Sequence, residues 1–386
     1  MLDFHRLREQ FAGFDTYQAQ KWEAEERKLR RALAALEECS PAWEKLRDTV
    51  AGRKLPWLVA GLREAPGRAF RCGPRPTPVT VVATDGSQIY PDRHFEPTCY
   101  LLNISRIAFQ YGTFERPLME SVPSFRYRSK DLEGYADEVI EAATVEVISS
   151  MRDKYELEAL FETAVRVRIS GRPILAMADG TLIRWPVGAI QDRALRDQLV
   201  ADYTAVLSQF EREQIPVCSY ISMPGGTEVV NLLRVYLGEE EERGEDSLAG
   251  LTDRRLFEHT LHPGERSVVF ESASHILREY GAANWICYFY VHVGSGTGPS
   301  AEVARVEIPR WVADQPTLVD MIHAIVLSEC EKGNGYPMIL SEAHEQAVIR
   351  AQERELFYQL VENQLNTAGL PAMGSRKQLS KRRPAV

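Results

Sequence analysis

Two acidic phrases carry most of the chemical promise of this chain. Val81-Val82-Ala83-Thr84-Asp85-Gly86-Ser87 and Ile174-Leu175-Ala176-Met177-Ala178-Asp179-Gly180-Thr181 each run from an apolar stretch into Asp-Gly and a hydroxyl residue. An apolar run of this length, bounded by turn residues, reads as a buried strand. Each aspartate then stands where a strand leaves the core, held by rigid backbone yet open to solvent. Two such carboxylates, brought together by a sheet, offer hard oxygen ligands to a divalent cation. That is the donor chemistry of metal-assisted phosphoester hydrolysis. Asp-Gly by itself is a common turn, so the pair carries the reading and neither copy does alone.

A tyrosine and a histidine near the C-terminus add to this set. Gly335-Tyr336-Pro337-Met338-Ile339-Leu340-Ser341-Glu342-Ala343-His344 puts Tyr336 at the end of a loop and His344 eight residues later. The intervening segment opens a helix, with Ser341 as its expected N-cap. Two rival chemistries are weaker. Asp179-Gly180-Thr181 looks like the second half of the haloacid-dehalogenase phrase Asp-x-Asp-Gly-Thr, but Met177 stands where the nucleophilic aspartate is needed. His259-x-x-His262 has helical metal-ligand spacing without a partner cysteine or carboxylate motif nearby. His292 alternates along a strand, and His94 follows the first acidic phrase. Arg93, Arg126, Arg128 and Lys130 are candidate phosphate contacts, since nucleic-acid affinity is largely electrostatic.

The elements that must position these residues can be read coarsely. Residues from about 3 to 65 look helical, with Leu29, Leu33 and Leu36 on one stripe. Gly73-Pro74-Arg75-Pro76-Thr77-Pro78 cannot continue a helix and marks entry to a sheet. A second strand is expected over Cys99 to Phe109, and a long helix over about 131 to 168. A polar helix follows the second acidic phrase from about Ile190 to Glu213, then a short strand over Ile215 to Ile221. Trp285 to Val293 reads as a strand whose hairpin partner is Ala304 to Ile308. Its link, Gly294-Ser295-Gly296-Thr297-Gly298, lacks the Gly-Lys-Ser/Thr ending and the following helix of a phosphate-binding loop. A C-terminal helix is expected over Ser341 to Leu365. Strands alternating with helices in this way indicate an α/β fold with a mixed sheet.

Bulk properties narrow the class further. With 386 residues the chain can bury a large core, and its apolar and charged fractions are ordinary for a globular protein. A net charge of −9 excludes a surface that is basic throughout, but it allows a basic channel in an acidic exterior. The six cysteines are scattered without a C-x-x-C pair, which argues against disulfides and a cysteine zinc site and for reduced thiols. No apolar stretch approaches the roughly 20 residues of a membrane span, and no signal-peptide core opens the chain. The expectation is a soluble, cytoplasmic protein with no membrane partner. Three regions are expected: an N-terminal helical region over 1–73, a catalytic domain over 74–366 with an acidic solvated loop at about 238–248, and a basic tail over 367–386.

Taken in order, strand-Asp-Gly-Ser, helix-Glu, strand-Asp-Gly-Thr-Leu and Tyr-Pro followed by Ala-His resemble the NurA family of DNA-end-processing nucleases. Val303-Ala304-Arg305-Val306-Glu307-Ile308-Pro309-Arg310-Trp311 is similar to the strand before the last motif in bacterial members. The resemblance covers roughly residues 80 to 350. It implies an RNase H-like mixed sheet flanked by helices and manganese- or magnesium-dependent cleavage of DNA using two ions. It also implies a homodimer and partnership with a HerA-type hexameric ATPase in double-strand break repair. Carried over by position, Asp85 and Asp179 would be metal carboxylates, with Tyr336 and His344 completing the catalytic set.

The family's helix glutamate has three candidates here, Glu156, Glu158 and Glu162. Glu158 lies seven residues from Met151 and from Val165 and eleven from Val147, so it shares their apolar face, whereas Glu156 shares a face with Ser149 and Thr163 and is expected to meet solvent. A carboxylate on a core-facing stripe needs compensation, which a metal would provide. Glu158 is therefore the favoured third ligand, with Glu162 next. A non-catalytic, DNA- or partner-binding homologue of the same fold is the alternative, kept open by this glutamate.

Overall fold

The computed structural model describes residues 3–53, 55–92, 95–96, 98–127, 145–184, 188, 190, 192–239, 247–294, 302–370 and 373–374. Arg93, His94, Arg128, Lys130, the start of the expected long helix, most of the acidic loop and the Gly-Ser link fall outside these residues, as does the tail beyond Gly374.

The chain opens with helices α1 (Phe4–Glu9), α2 (Phe14–Cys39) and α3 (Trp43–Ala51), then short strands β1 (Gly61–Leu62) and β2 (Ala69–Arg71). Next come β3 (Val79–Thr84), β4 (Gly86–Ile89), β5 (Phe95–Glu96), β6 (Tyr100–Tyr111) and β7 (Leu118–Arg126). Helix α4 (Val145–Val167), β8 (Ile174–Asp179), α5 (Arg193–Arg212) and β9 (Val217–Ile221) follow. The next stretch holds α6 (Glu228–Tyr236), α7 (Asp253–Phe257), β10 (Glu265–Ser267), β11 (Phe270–Glu271), β12 (Ile286–His292) and β13 (Val303–Pro309). The chain closes with α8 (Arg310–Ala313), α9 (Pro316–Lys332), α10 (Met338–Ala347), α11 (Ala351–Thr367) and β14 (Met373–Gly374). By contacts it forms two compact units, one from 1–73, 221–275 and 286–307, the other from 74–220, 276–285 and 308–386.

In the first unit, α2 buries Leu29, Ala32, Leu36 and Cys39, a three-to-four-residue stripe, in one core with α6, Phe257, Phe270, Tyr288 and Tyr290. Helix does not run to residue 65 as expected. It stops at Ala51, and beyond Gly52 and Pro56 the chain pairs β1 with β11 and β2 with β10. Gly at a helix end and Pro after it account for the stop.

The second unit holds the acidic phrases. Strand β3 pairs antiparallel with β6, which pairs antiparallel with β7 on one stretch and β4 on another. On its other side β3 pairs parallel with β8, and β8 parallel with β9. All six residues of β3 are buried, so the sheet is covered on both faces, as parallel strands require. Helix α4 packs on β3, β6, β8 and α5, and α10 packs on β3 and β6. The expected C-terminal helix is two helices, because Val348 turns to an extended backbone and α11 starts afresh after Arg350. Ser341 lies inside α10, whose N-cap is Pro337.

Candidate functional site

Register brings the two aspartates together. Thr84 of β3 pairs with Ala178 of β8 in a parallel ladder, so the next residue on each strand, Asp85 and Asp179, leaves the sheet at the same level. This is the carboxyl edge of the parallel strands, where open α/β sheets place their ligands. Each aspartate accepts a hydrogen bond at Oδ1 from the following glycine amide, at 2.8 Å for Gly86 and 2.9 Å for Gly180. The glycines themselves answer different needs. Gly180 has φ +76°, the left-handed region that a Cβ disfavours. Gly86 is required by proximity, because a Cβ there would collide with Glu156 Oε1. Asp85 is fixed further by Ser105, whose hydroxyl meets its backbone amide at 3.0 Å and whose own amide donates to its carbonyl at 2.8 Å.

Tyr336 and His344 each reach one aspartate. The Tyr336 hydroxyl donates to Asp179 Oδ1 at 2.9 Å, and its ring stands edge-on to Tyr220 with centroids 5.5 Å apart. His344 Nδ1 lies 2.9 Å from Asp85 Oδ2. Helix α10 is held for this contact at its last turn, where the Ala347 carbonyl accepts from Ser87 and Asn103. Asp179 is open to solvent on its outer side, yet the walls around it desolvate it and raise its pKa, aided by Asp85 and opposed by the Tyr336 hydrogen bond. Burial, then the Asp179 charge, pushes the Tyr336 phenol upward.

The third wall comes from α4. Glu156, not expected to face inward, points at the aspartates. Its pKa is raised well above the carboxylate range by burial first, then by Asp153, against the opposing charge of Arg152. Thr84 Oγ1 donates to the Glu156 carbonyl at 2.8 Å and locks the helix against β3. Arg152 and Asp153 stand beside Glu156, and Arg184, five residues beyond Asp179, ion-pairs with Asp153. The result is a cleft of about 290 Å³ with four carboxylates and two guanidiniums at its lining.

Glu158 and Glu162 are not in it. Both line a separate depression with Leu102, Ile104, Arg106 and Tyr155. Glu158 keeps 33% of its side chain exposed and pairs with Lys154, one turn away, at 3.4 Å; Glu162 pairs with Arg106 at 2.6 Å. The signal that would have found Glu156 is the glycine of the first acidic phrase, which leaves room for a carboxylate from a neighbouring element. Arg126 lies over Tyr155 instead of the cleft. His259 is exposed with Nδ1 at the Arg255 carbonyl, and His292 is buried in the other unit.

Among the described residues no three His, Cys, Asp or Glu side chains already converge tightly enough to enclose an ion. The donor set nevertheless suits a hard divalent cation, being all carboxylate oxygen with negative charge in excess. One atom is left over for it. Glu156 Oε1 is buried and has no hydrogen-bond partner, although Arg152 Nε passes within 2.9 Å with its N–H directed elsewhere. An orphaned buried acceptor is costly unless a ligand satisfies it.

Fold and site thus define an α/β protein with a carboxylate cleft at the edge of its parallel strands. The profile of the NurA domain matches residues 79–349, well over half of the chain, and the protein belongs to the NurA family. That match takes in both aspartates, Glu156, Tyr336 and His344. Among solved structures, the NurA nuclease from Sulfolobus solfataricus is similar at 17% identity, with 78% of this chain and 88% of that chain covered and a TM-score of 0.49. LC9-RNase H1, a type 1 RNase H with the type 2 active-site motif, is similar at 12% identity, over 45% of this chain and 78% of that one, with a TM-score of 0.21. No curated protein matches. A mixed sheet flanked by helices, as the expected fold class requires, is found. No helix among the described residues is long and apolar enough to cross a membrane.

Proposed function

We propose that the protein is a metal-dependent deoxyribonuclease that hydrolyses phosphodiesters at DNA ends. The observation that carries this reading is the convergence of Asp85, Asp179 and Glu156 on one cleft, with Glu156 Oε1 buried and lacking an aligned hydrogen bond. Asp85, Asp179 and Glu156 would hold two Mn²⁺ or Mg²⁺ ions. Such ions make water a nucleophile near neutral pH and stabilise both the entering and leaving oxygens.

The chain's own groups do the rest. The Gly86 and Gly180 amides and Ser105 fix the aspartates in place before any ligand arrives. The Tyr336 hydroxyl anchors Asp179. His344 uses Nδ1 on Asp85, which leaves its second ring nitrogen to hold or move a proton at the leaving oxygen. In keeping with the family, we take the protein to act as a homodimer in the cytoplasm, feeding on DNA delivered by a HerA-type hexameric ATPase during double-strand break repair.

The test is cleavage of end-labelled linear single- and double-stranded DNA with Mn²⁺, Mg²⁺ or EDTA, with and without such an ATPase. Cutting should require the cation and vanish in Asp85→Ala. Cutting that survives EDTA or this substitution would sink the reading, as would its absence under every condition.

A further inference from the structure

Asp153 is the cleft carboxylate for which the proposed chemistry has no use, and it is held more tightly than the others. Its Oδ1 accepts Nη2 and Nε of Arg152, at 2.9 and 3.3 Å, and its Oδ2 accepts Nη2 of Arg184. Arg152 spends Nη1 on Gln88 Oε1 at 3.0 Å. Its aimed donors therefore go to Asp153 and Gln88, and Glu156 Oε1 receives positive charge at close range without a directed hydrogen. Arg184 is equally constrained. It is buried, its guanidinium lies 5.2 Å from the Tyr203 ring centroid, and its backbone amide donates to the Tyr280 hydroxyl, which in turn donates to the Leu182 carbonyl.

The sequence positions of the partners matter. Arg184 lies five residues after Asp179, and Asp153 sits about one helical turn before Glu156. The Arg184–Asp153 pair is thus a strut between the segment carrying one aspartate and the helix carrying the glutamate. Asp153 also takes the directed N–H groups of Arg152, so the i,i+4 ion pair of Arg152 Nε with Glu156 Oε1, at 2.9 Å, forms without an aligned hydrogen bond.

We infer that Asp153 is a positioning residue: its clamp on Arg152 and Arg184 sets Glu156 against Asp179 and turns the Arg152 N–H groups away from Glu156 Oε1, leaving that oxygen able to meet a divalent cation. The inference rests on the nuclease reading above. Outer partners of metal ligands typically change affinity by roughly 10- to 100-fold when removed, and that is the scale expected here.

The measurement is Mn²⁺ binding to the full-length protein, followed by the electron paramagnetic resonance of free Mn²⁺, with circular dichroism as the control for folding. Asp153→Asn should bind Mn²⁺ about tenfold or more weakly than the wild type, because the neutral amide lets the Arg152 N–H groups turn onto Glu156 Oε1 as a directed hydrogen bond. Adding Arg152→Gln to Asp153→Asn should recover most of that affinity, which a merely structural role of Asp153 would not produce. If Asp153→Asn does not fold, Arg184→Lys keeps the charge, loses the planar fork and should weaken binding in the same direction. Wild-type affinity in the folded Asp153→Asn or Arg184→Lys protein would overturn the strut and leave the nuclease reading standing, as would failure of the double variant to recover. Mn²⁺ binding that is absent from the wild type, or unchanged in Asp85→Ala, would overturn both.

Discussion

Each unit of this protein gathers more carboxylates than guanidiniums around one point, and the two gatherings end differently. In the first unit, Glu228, Asp253 and Glu307 surround Arg305, and all four are buried. Asp253 accepts the Val230 and Val229 amides of α6 at 2.8 and 3.1 Å and the Tyr290 hydroxyl at 2.9 Å. Glu228 accepts from Ser272 and Arg305, and Glu307 takes Arg305 Nε at 3.0 Å. The Arg305 guanidinium lies 3.6 Å from the Tyr288 ring centroid. In the second unit the acids line an open cleft, two sit on strand ends, and one oxygen meets a guanidinium at 2.9 Å without an aligned hydrogen bond. Like ingredients, sealed and matched, make framework; opened and left one bond short, they make a site.

That contrast can be broken at either end. The largest effect expected is on cleavage: Asp85→Ala should lower the rate by roughly 10³-fold or more, since several kcal/mol of charge stabilisation is lost, with the melting temperature held. A large fall in melting temperature would mean the cleft acids serve the framework. Arg305→Met should do the reverse. Removing one partner of a buried ionic group costs about 3–5 kcal/mol, readable in urea unfolding, while metal binding per folded molecule stays put. A cost under about 1 kcal/mol would show that water reaches the first network.

Tyr336→Phe removes a hydrogen bond to a charged acceptor and should slow cleavage roughly tenfold or more. Its acid limb should also move to higher pH, because that bond lowers the Asp179 pKa.

The smallest effect separates the two networks by pH. An acid whose folded pKa is raised contributes stability that is full below its unfolded pKa and lost as pH rises through the folded value. Asp179 and Glu156 are raised, and burial pushes Asp253 up to about 7. The metal-free protein should therefore lose stability from the ordinary carboxylate range toward neutrality and above. A divalent cation binds the deprotonated cleft and should return the cleft's share, so its gain in melting temperature should be larger at pH 8 than at pH 5. An equal gain at both would count against carboxylate ligation.

The legible parts of the site were those set by chain-local physics. Asp85 and Asp179 could be placed at strand ends because each follows an apolar run and opens a turn, and β3 and β8 deliver them in register. Tyr336 and His344 stood out through their order relative to those phrases. Glu156 did not, because a helical stripe reports the face toward the core, whereas the cleft meets α4 from its side. Glu158, which that stripe singled out, is instead part-exposed and pairs with Lys154 by an i,i+4 contact. Asp153 and Arg184 were invisible for a simpler reason: the two ends of the strut are 31 residues apart in sequence and meet only across the cleft. In the N-terminal segment Gly52 and Pro56 mark the helix stop locally, whereas the pairing of β1 with β11 and of β2 with β10 is long-range and had no local signal.

The most direct measurement compares cleavage of linear DNA in Mn²⁺ by Glu156→Gln and Glu158→Gln. Each substitution keeps shape and removes one charge. The account predicts that Glu156→Gln loses roughly two or more orders of magnitude while Glu158→Gln stays within a few-fold of the wild type. Loss in Glu158→Gln with activity kept in Glu156→Gln would contradict it, and would move the third carboxylate out of the cleft.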